Sequence, residues 1–140
     1  MTFRDLLASG KRIFFDGGMG TMLQSRGLEP GQNPEEFCLA RPDVLEGVLD
    51  DYIMADAYVI TTNTFGGTGF KLPTGLNVID FNSKMAEASR NAASKANRPI
   101  YVAGSVGPSG KFLRPLGELF FEELVSAFQE QIAGLVKGGV

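Results

Sequence analysis

The chain has 140 residues, 44% hydrophobic and 21% charged, which is ordinary for one soluble globular domain with its own core. Its net charge of −3 excludes a general attraction to nucleic acid or to an anionic membrane. One cysteine and no histidine exclude an internal disulfide, a Ser-His or Cys-His catalytic pair and an imidazole metal ligand. Because no apolar run could span a bilayer and no signal-like segment opens the chain, we expect a cytoplasmic protein.

The first half of the chain carries apolar spacings typical of short helices and strands. Residues 12–15 are β-branched and aromatic, which predicts a first strand. Pro42 suits the first turn of a helix, and the apolar residues after it recur at helical spacing. In chain order we predict a helix at 2–9, a strand at 12–15, a short helix at 21–25, a helical segment at 35–39, a helix at 42–56 and a strand at 57–61.

The second half repeats the alternation of strand and helix. We predict a helix at 81–96, a strand at 99–103 and a helix at 118–137, the last with the clearest apolar stripe. Alternation of this kind implies a parallel sheet, because parallel strands need crossover helices. The fold class is therefore α/β. A complete (β/α)8 barrel takes about 250 residues, so the chain is either part of such a barrel or a small open sheet.

Glycine-rich polar segments follow all three predicted strands, at residues 16–21, 61–67 and 104–110. In parallel α/β folds the carboxyl ends of the strands form one rim, and ligands bind there. Three such segments on one rim predict a binding site rather than three unrelated turns.

The first of these segments begins with Asp16, whose carboxylate could hold an ammonium group or serve as a cap or turn residue. The glycines that follow form either a backbone nest for a small carboxylate or a tight turn. A phosphate loop is disfavoured, because the Gly-x-Gly-x-x-Gly spacing and the Gly-Lys-Ser/Thr ending are absent and Asp16 would repel an anion.

The other two segments offer hydroxyl and amide groups. Those at residues 61–64 could bind a ligand or satisfy the loop backbone, and Phe65 is either a pocket wall or core. Ser105 could bind a polar group or be a turn serine; no nearby base makes it a nucleophile. Cys38 is expected to be structural and partly buried, since one thiol does not make a zinc site.

Four segments together resemble the homocysteine S-methyltransferase family. They are IFFDGGMGTML at residues 13–23, RPD at 41–43, YIMADAYVITTNTF at 52–65 and VAGSVGP at 102–108. The resemblance covers nearly the whole chain. It is closest to the amino-terminal homocysteine-binding module of the cobalamin-dependent methionine synthase branch.

This resemblance implies that residues 1–140 are the amino-terminal part of a (β/α)8 TIM barrel, with an N-terminal helix and about three βα units, ending before the fourth strand. Members of the family bind homocysteine as a zinc thiolate, and in this branch methylcobalamin supplies the methyl group. The zinc cysteines and a fourth-strand glutamate come later in the family's barrel. We therefore expect neither zinc nor cobalamin on this chain, and no activity from the chain alone.

The resemblance also implies roles for individual residues. Asp16 matches the carboxylate that receives the homocysteine ammonium group. Asp56 stands where the family usually has glycine and Tyr58 where it usually has aspartate, and we expect both to affect packing rather than chemistry. No catalytic or metal-binding residue is expected here, and the implied substrate-binding residues are Asp16, Gly17, Gly18, Met19, Asn63, Thr64, Phe65 and Ser105.

Three alternatives stay open. A relative could use betaine or S-methylmethionine as methyl donor, although residues 41–43 and 62–65 favour the cobalamin branch. A non-catalytic partial barrel could associate with itself or with another chain through exposed sheet edges. A small nucleotide-binding protein would need anion binding at the first loop, which Asp16 opposes. If the chain is instead the homocysteine-binding module of the cobalamin-dependent branch, its expected partners are homocysteine, the rest of the barrel and the cobalamin and folate domains.

Overall fold

The computed structural model describes residues 2–140 and has a mixed α/β architecture, as predicted. Two short strands pair in parallel, with Val59 opposite Tyr101 and Thr61 opposite Ala103. Within the described residues, the elements are α1 (Phe3–Ala8), α2 (Met19–Gln24), α3 (Pro34–Ala40), α4 (Pro42–Met54), β1 (Val59–Thr61), α5 (Val78–Lys95), β2 (Tyr101–Ala103) and α6 (Phe121–Lys137).

The predicted first strand at residues 12–15 is wrong in extent, because the structure contains only a single parallel bridge between Phe15 and Val59. The Val59 N–H donates to the Phe14 carbonyl at 3.2 Å, and the Asp16 N–H donates to the Val59 carbonyl at 2.9 Å. This segment pairs with β1 on one side only. Within residues 2–140 no second strand pairs with it, and Phe14 and Phe15 remain 57% and 54% exposed.

Three helices begin two or three residues away from the predicted position. Helix α2 begins at Met19, two residues early. Helix α5 begins at Val78 because the Asn77 side chain accepts a hydrogen bond from the Asp80 N–H at 2.9 Å and caps the first turn. Helix α6 begins only at Phe121, since the residues before it are held in an extended bridge rather than a helical turn.

The core lies where α4 and α5 pack on β1. Leu45, Leu49 and Ile60 are fully buried, and Phe81 and Met85 reach them from α5. Full burial of one such side chain contributes about 1.5–3 kcal/mol. This packing fixes β1 under the predicted rim. No helix among residues 2–140 is long and apolar enough to cross a membrane.

Helices α5 and α6 approach closely at Gly134, which is buried on α6. A Cβ at this position would lie 2.6 Å from the Ile79 carbonyl oxygen and 2.8 Å from the Asn82 Cβ. The two helices can therefore pack at this distance only because residue 134 has no side chain.

Asp56 has the backbone conformation that favours glycine, with φ of 67°. Replacing Asp56 with glycine should raise the free energy of unfolding by about 0.5–1 kcal/mol, because a side chain in the left-handed region is strained. The ion pair that is lost is weak, since Asp56 lies 3.7 Å from Arg98 and its side chain is 88% exposed. Chemical denaturation measures the change.

The matched control is Ala55→Gly, one residue earlier at φ of −81°. Glycine relieves no strain there and should destabilise the chain by about 0.5–1 kcal/mol. Equal effects of the two substitutions would contradict the explanation from backbone conformation.

Candidate functional site

Asp16 lies directly after the bridge to β1, and one of its two carboxylate oxygens is occupied by hydrogen bonds. Its Oδ2 accepts hydrogen bonds from the Thr61 N–H at 2.7 Å and from the Thr61 hydroxyl at 2.9 Å. Within residues 2–140, Oδ1 makes no hydrogen bond. One oxygen therefore fixes the side chain at the end of β1, and the other is available to a ligand.

The glycines after Asp16 lie against Tyr52 of α4. The Tyr52 hydroxyl donates to the Gly18 carbonyl at 3.0 Å, and a Cβ at Gly17 would lie 3.0 Å from that hydroxyl oxygen. Burial, and then the negative charge of Asp16, raises the pKa of Tyr52. The close approach of Tyr52 explains why residue 17 lacks a side chain, and the bond to Gly18 fixes the turn into α2.

A closed ring of hydrogen bonds joins the loop after β1 to the loop after β2. The Ser105 N–H donates to the Thr62 hydroxyl at 2.9 Å, and the Thr64 hydroxyl donates to the Ser105 carbonyl at 2.7 Å. The two hydroxyl oxygens lie 2.6 Å apart. Because the Thr64 proton is already used, Thr62 must be the donor between them.

Gln131 of α6 donates hydrogen bonds to the backbone of both loops in this ring. Its side chain is fully buried, and its Nε2 donates to the Thr64 carbonyl at 2.7 Å and more weakly to the Ser105 carbonyl at 3.5 Å. The loop residues Thr62 and Thr64 thus satisfy one another and the backbone. Through Gln131, helix α6 holds the two loops together.

A cavity of about 540 Å³ opens between these loops and the starts of α2 and α3. Four of the residues predicted from the sequence line it, namely Met19, Asn63, Phe65 and Ser105. Thr61 also lines the cavity and carries the hydrogen bonds to Asp16. The structure therefore brings segments from all three predicted rim clusters together.

The other predicted residues lie outside the cavity walls. Asp16, Gly17 and Gly18 sit beside it, with Asp16 joined to it through Thr61. Thr64 is fully buried in the hydrogen-bonded ring and does not reach the cavity. Its part in substrate binding stays a prediction, and its observed contacts are structural.

Two charged residues that the sequence did not indicate also line the cavity, Glu35 and Lys71. Glu35 is only 6% exposed, and its Oε1 accepts a hydrogen bond from the Gly66 N–H at 2.6 Å. A glutamate in the first turn of a short helix is ordinarily solvated, so its sequence position carries no signal. Lys71 lies in a glycine-rich stretch that resembles a surface loop.

Cys38 is fully buried behind this wall, which exceeds the partial burial predicted from the sequence. Burial raises its pKa to about 12, although a hydrogen bond with Asn63 acts in the opposite direction. Zinc requires several deprotonated ligands with an open approach. A single protonated thiol does not fit it, and no group of three or more suitable side chains occurs within residues 2–140.

A second cavity, of about 630 Å³, is lined by all of β2 and extends past Val59 of β1 to Phe15. Phe3, Tyr101 and Val140 are among the residues that line it. None of the predicted binding residues reaches it. It therefore lies against the strands rather than among the loops of the rim.

The fold agrees with what comparison to known proteins finds. The family profile described as homocysteine S-methyltransferase matches residues 13–140. The chain belongs to the homocysteine S-methyltransferase family.

The chain spans only part of the length of the relatives that it matches. It is 36% identical over 138 residues to the methionine synthase of Mycobacterium tuberculosis (strain ATCC 25618 / H37Rv), and the match covers 89% of this chain and 11% of that protein. The oxidized form of the Escherichia coli homocysteine methyltransferase MmuM superposes with a TM-score of 0.82 at 24% identity, covering 98% of this chain and 53% of that one. Its metallated form gives 0.77 at 23% identity, covering 96% and 54%.

Proposed function

We propose that this chain is the homocysteine-binding part of a methionine synthase, in which homocysteine receives a methyl group from methylcobalamin and becomes methionine. In the longer protein, residues 1–140 would form the first part of a (β/α)8 barrel whose later strands carry the zinc ligands. The relative at 36% identity, a methionine synthase, supports this branch over those that use betaine or S-methylmethionine.

The part of the reaction that belongs to this chain is recognition of the amino acid. The carboxylate of Asp16 keeps one oxygen open while Thr61 fixes the other. An ammonium group binds such an oxygen through a charge-assisted hydrogen bond. This single observation supports the proposal, because the open oxygen offers a group that can bind an ammonium ion, and Thr61 joins Asp16 to a cavity large enough for a small amino acid.

Activation of the thiol and delivery of the methyl group lie outside these residues. Zinc lowers the pKa of a thiol, and methylcobalamin is the methyl donor in this branch. The described residues supply neither a zinc site nor a free thiolate. We therefore propose that residues 1–140 alone bind homocysteine without converting it.

The open edge of β2 and the exposed Phe14 and Phe15 on the opposite edge fit a sheet that continues on both sides. In the longer protein, the following strand of the barrel would cover β2. We propose the rest of the barrel, together with cobalamin and folate domains, as the partners of this chain.

Asp16→Asn should weaken homocysteine binding by about tenfold, because the amide loses the charge that attracts an ammonium group. The substitution keeps an oxygen that can accept from Thr61, so the loop should keep its position. Isothermal titration of the chain with L-homocysteine under reducing conditions measures the dissociation constant.

The matched control is Asp50→Asn on α4, which removes the same charge outside the rim cavity. It should leave the dissociation constant unchanged. Equal affinities of Asp16→Asn and the unmodified chain would exclude Asp16 from the site, and no binding by the unmodified chain would overturn the proposed function.

A further inference from the structure

The rim cavity carries opposite charges on its walls. Within residues 2–140, the charged side chains that line it are Glu35 at the start of α3 and Lys71 in the loop after β1. Neither forms an ion pair with the other or with another described residue. For a ligand that bears both charges, Lys71 attracts the anionic end and Glu35 repels it.

Glu35 fixes which end of such a ligand faces α3. Its side chain is 6% exposed, and it accepts a hydrogen bond from the Gly66 N–H at 2.6 Å. A buried carboxylate repels an anion strongly, because the surroundings screen its charge poorly. The carboxylate of a ligand is therefore disfavoured beside α3 and beside Asp16.

Lys71 is the cation in the cavity wall that can receive the carboxylate of the ligand. Its Nζ lies 5.5 Å from the centroid of the Phe65 ring, and its backbone N–H donates to the Thr68 carbonyl at 3.0 Å. The ring face attracts the ammonium group and limits its positions without neutralising its charge. The backbone bond fixes residue 71 in the loop, and Lys71 and Phe65 both line the cavity.

We infer that Lys71 binds the α-carboxylate of the amino-acid ligand and so determines selectivity for amino acids over simple amines. The inference rests on the proposed function, which supplies homocysteine as the ligand. The ligand lies with its carboxylate toward Lys71 and its ammonium group toward Asp16. Glu35 anchors the loop at Gly66 and repels the reversed orientation.

The test compares two ligands that differ only in the carboxylate, L-homocysteine and 3-aminopropane-1-thiol. Lys71→Gln should weaken binding of homocysteine by about tenfold, which corresponds to the loss of one charge-assisted hydrogen bond. It should leave the binding of 3-aminopropane-1-thiol unchanged. The control Lys84→Gln removes an exposed lysine from α5 and should alter neither dissociation constant.

The outcomes distinguish the role of Lys71 from the proposed homocysteine-binding function. If Lys71→Gln binds homocysteine as tightly as the unmodified chain, the inference is overturned and the proposed function stands. If it weakens both ligands equally, Lys71 acts through the shape of the loop and the inference is overturned as well. If the unmodified chain binds no homocysteine, the proposed function and the inference fail together.

Discussion

Thr64→Val is expected to lower the free energy of unfolding by about 3 kcal/mol, the largest effect of any substitution considered. Valine has nearly the same shape as threonine, so the change removes a hydroxyl and leaves the packing almost intact. The Thr62 hydroxyl then has no acceptor, and the Ser105 carbonyl keeps only the weaker bond to Gln131. Each buried group left without a partner costs about 1–3 kcal/mol.

Chemical denaturation gives the change, and amide hydrogen exchange at Ser105 shows whether the two loops have separated. The Ser105 N–H is protected by its bond to Thr62, so exchange should accelerate in the Thr64 variant. Thr74→Val is the control, since Thr74 is exposed and lies outside the ring. It should change stability by less than about 0.5 kcal/mol, and an effect on Thr74 as large as that on Thr64 would contradict the importance of the ring.

Gly134→Ala is expected to destabilise the chain by about 2 kcal/mol, although alanine is the better helix former. The added methyl group would lie 2.6 Å from the Ile79 carbonyl oxygen. Backbone on both helices must then shift, and overpacking of this kind costs about 1–3 kcal/mol. Thermal unfolding measures the loss.

Gly20→Ala separates this packing effect from helix propensity. Gly20 lies in α2, and nothing stands within 4 Å of the position that its Cβ would take. Alanine should therefore leave stability unchanged or raise it by up to about 1 kcal/mol. If both alanine variants were stabilised, the close contact between α5 and α6 would not control their packing.

Most helices could be predicted from the sequence, because their apolar spacing is a local property. Helix α4 begins at Pro42 as predicted, and β1 and β2 lie within the predicted strands. The first strand could not be predicted in extent, because its length depends on a neighbour on each side. Phe14 and Phe15 have strand-forming side chains, but among residues 2–140 this segment pairs only with β1.

The position of the rim could be predicted, but which of its side chains line the cavity and which are buried in the loop backbone could not. Met19, Asn63, Phe65 and Ser105 follow strand ends, so their convergence on one cavity follows from parallel topology. The sequence left it open whether the polar run at residues 61–64 binds ligand or satisfies backbone, and Thr64 does the second.

Glu35 and Lys71 could not be found from the sequence, because their position in the cavity depends on contacts distant along the chain. The hydrogen bond from Gly66 reaches Glu35 across 31 residues. A charged residue on a short helix or in a loop is usually solvated. Only the folded arrangement shows that these two line the same space.

The buried thiol has a practical consequence for following the ligand. Burial raises the pKa of Cys38 to about 12, so its thiol stays protonated and poorly reactive at pH 7. A chromogenic thiol reagent added to the native chain therefore reports free homocysteine almost alone, and the protein adds no background. Where the cavity shields the thiol of bound homocysteine from the reagent, the slowing of that colour reaction as the chain is added follows binding, with no label and no mutation of the protein.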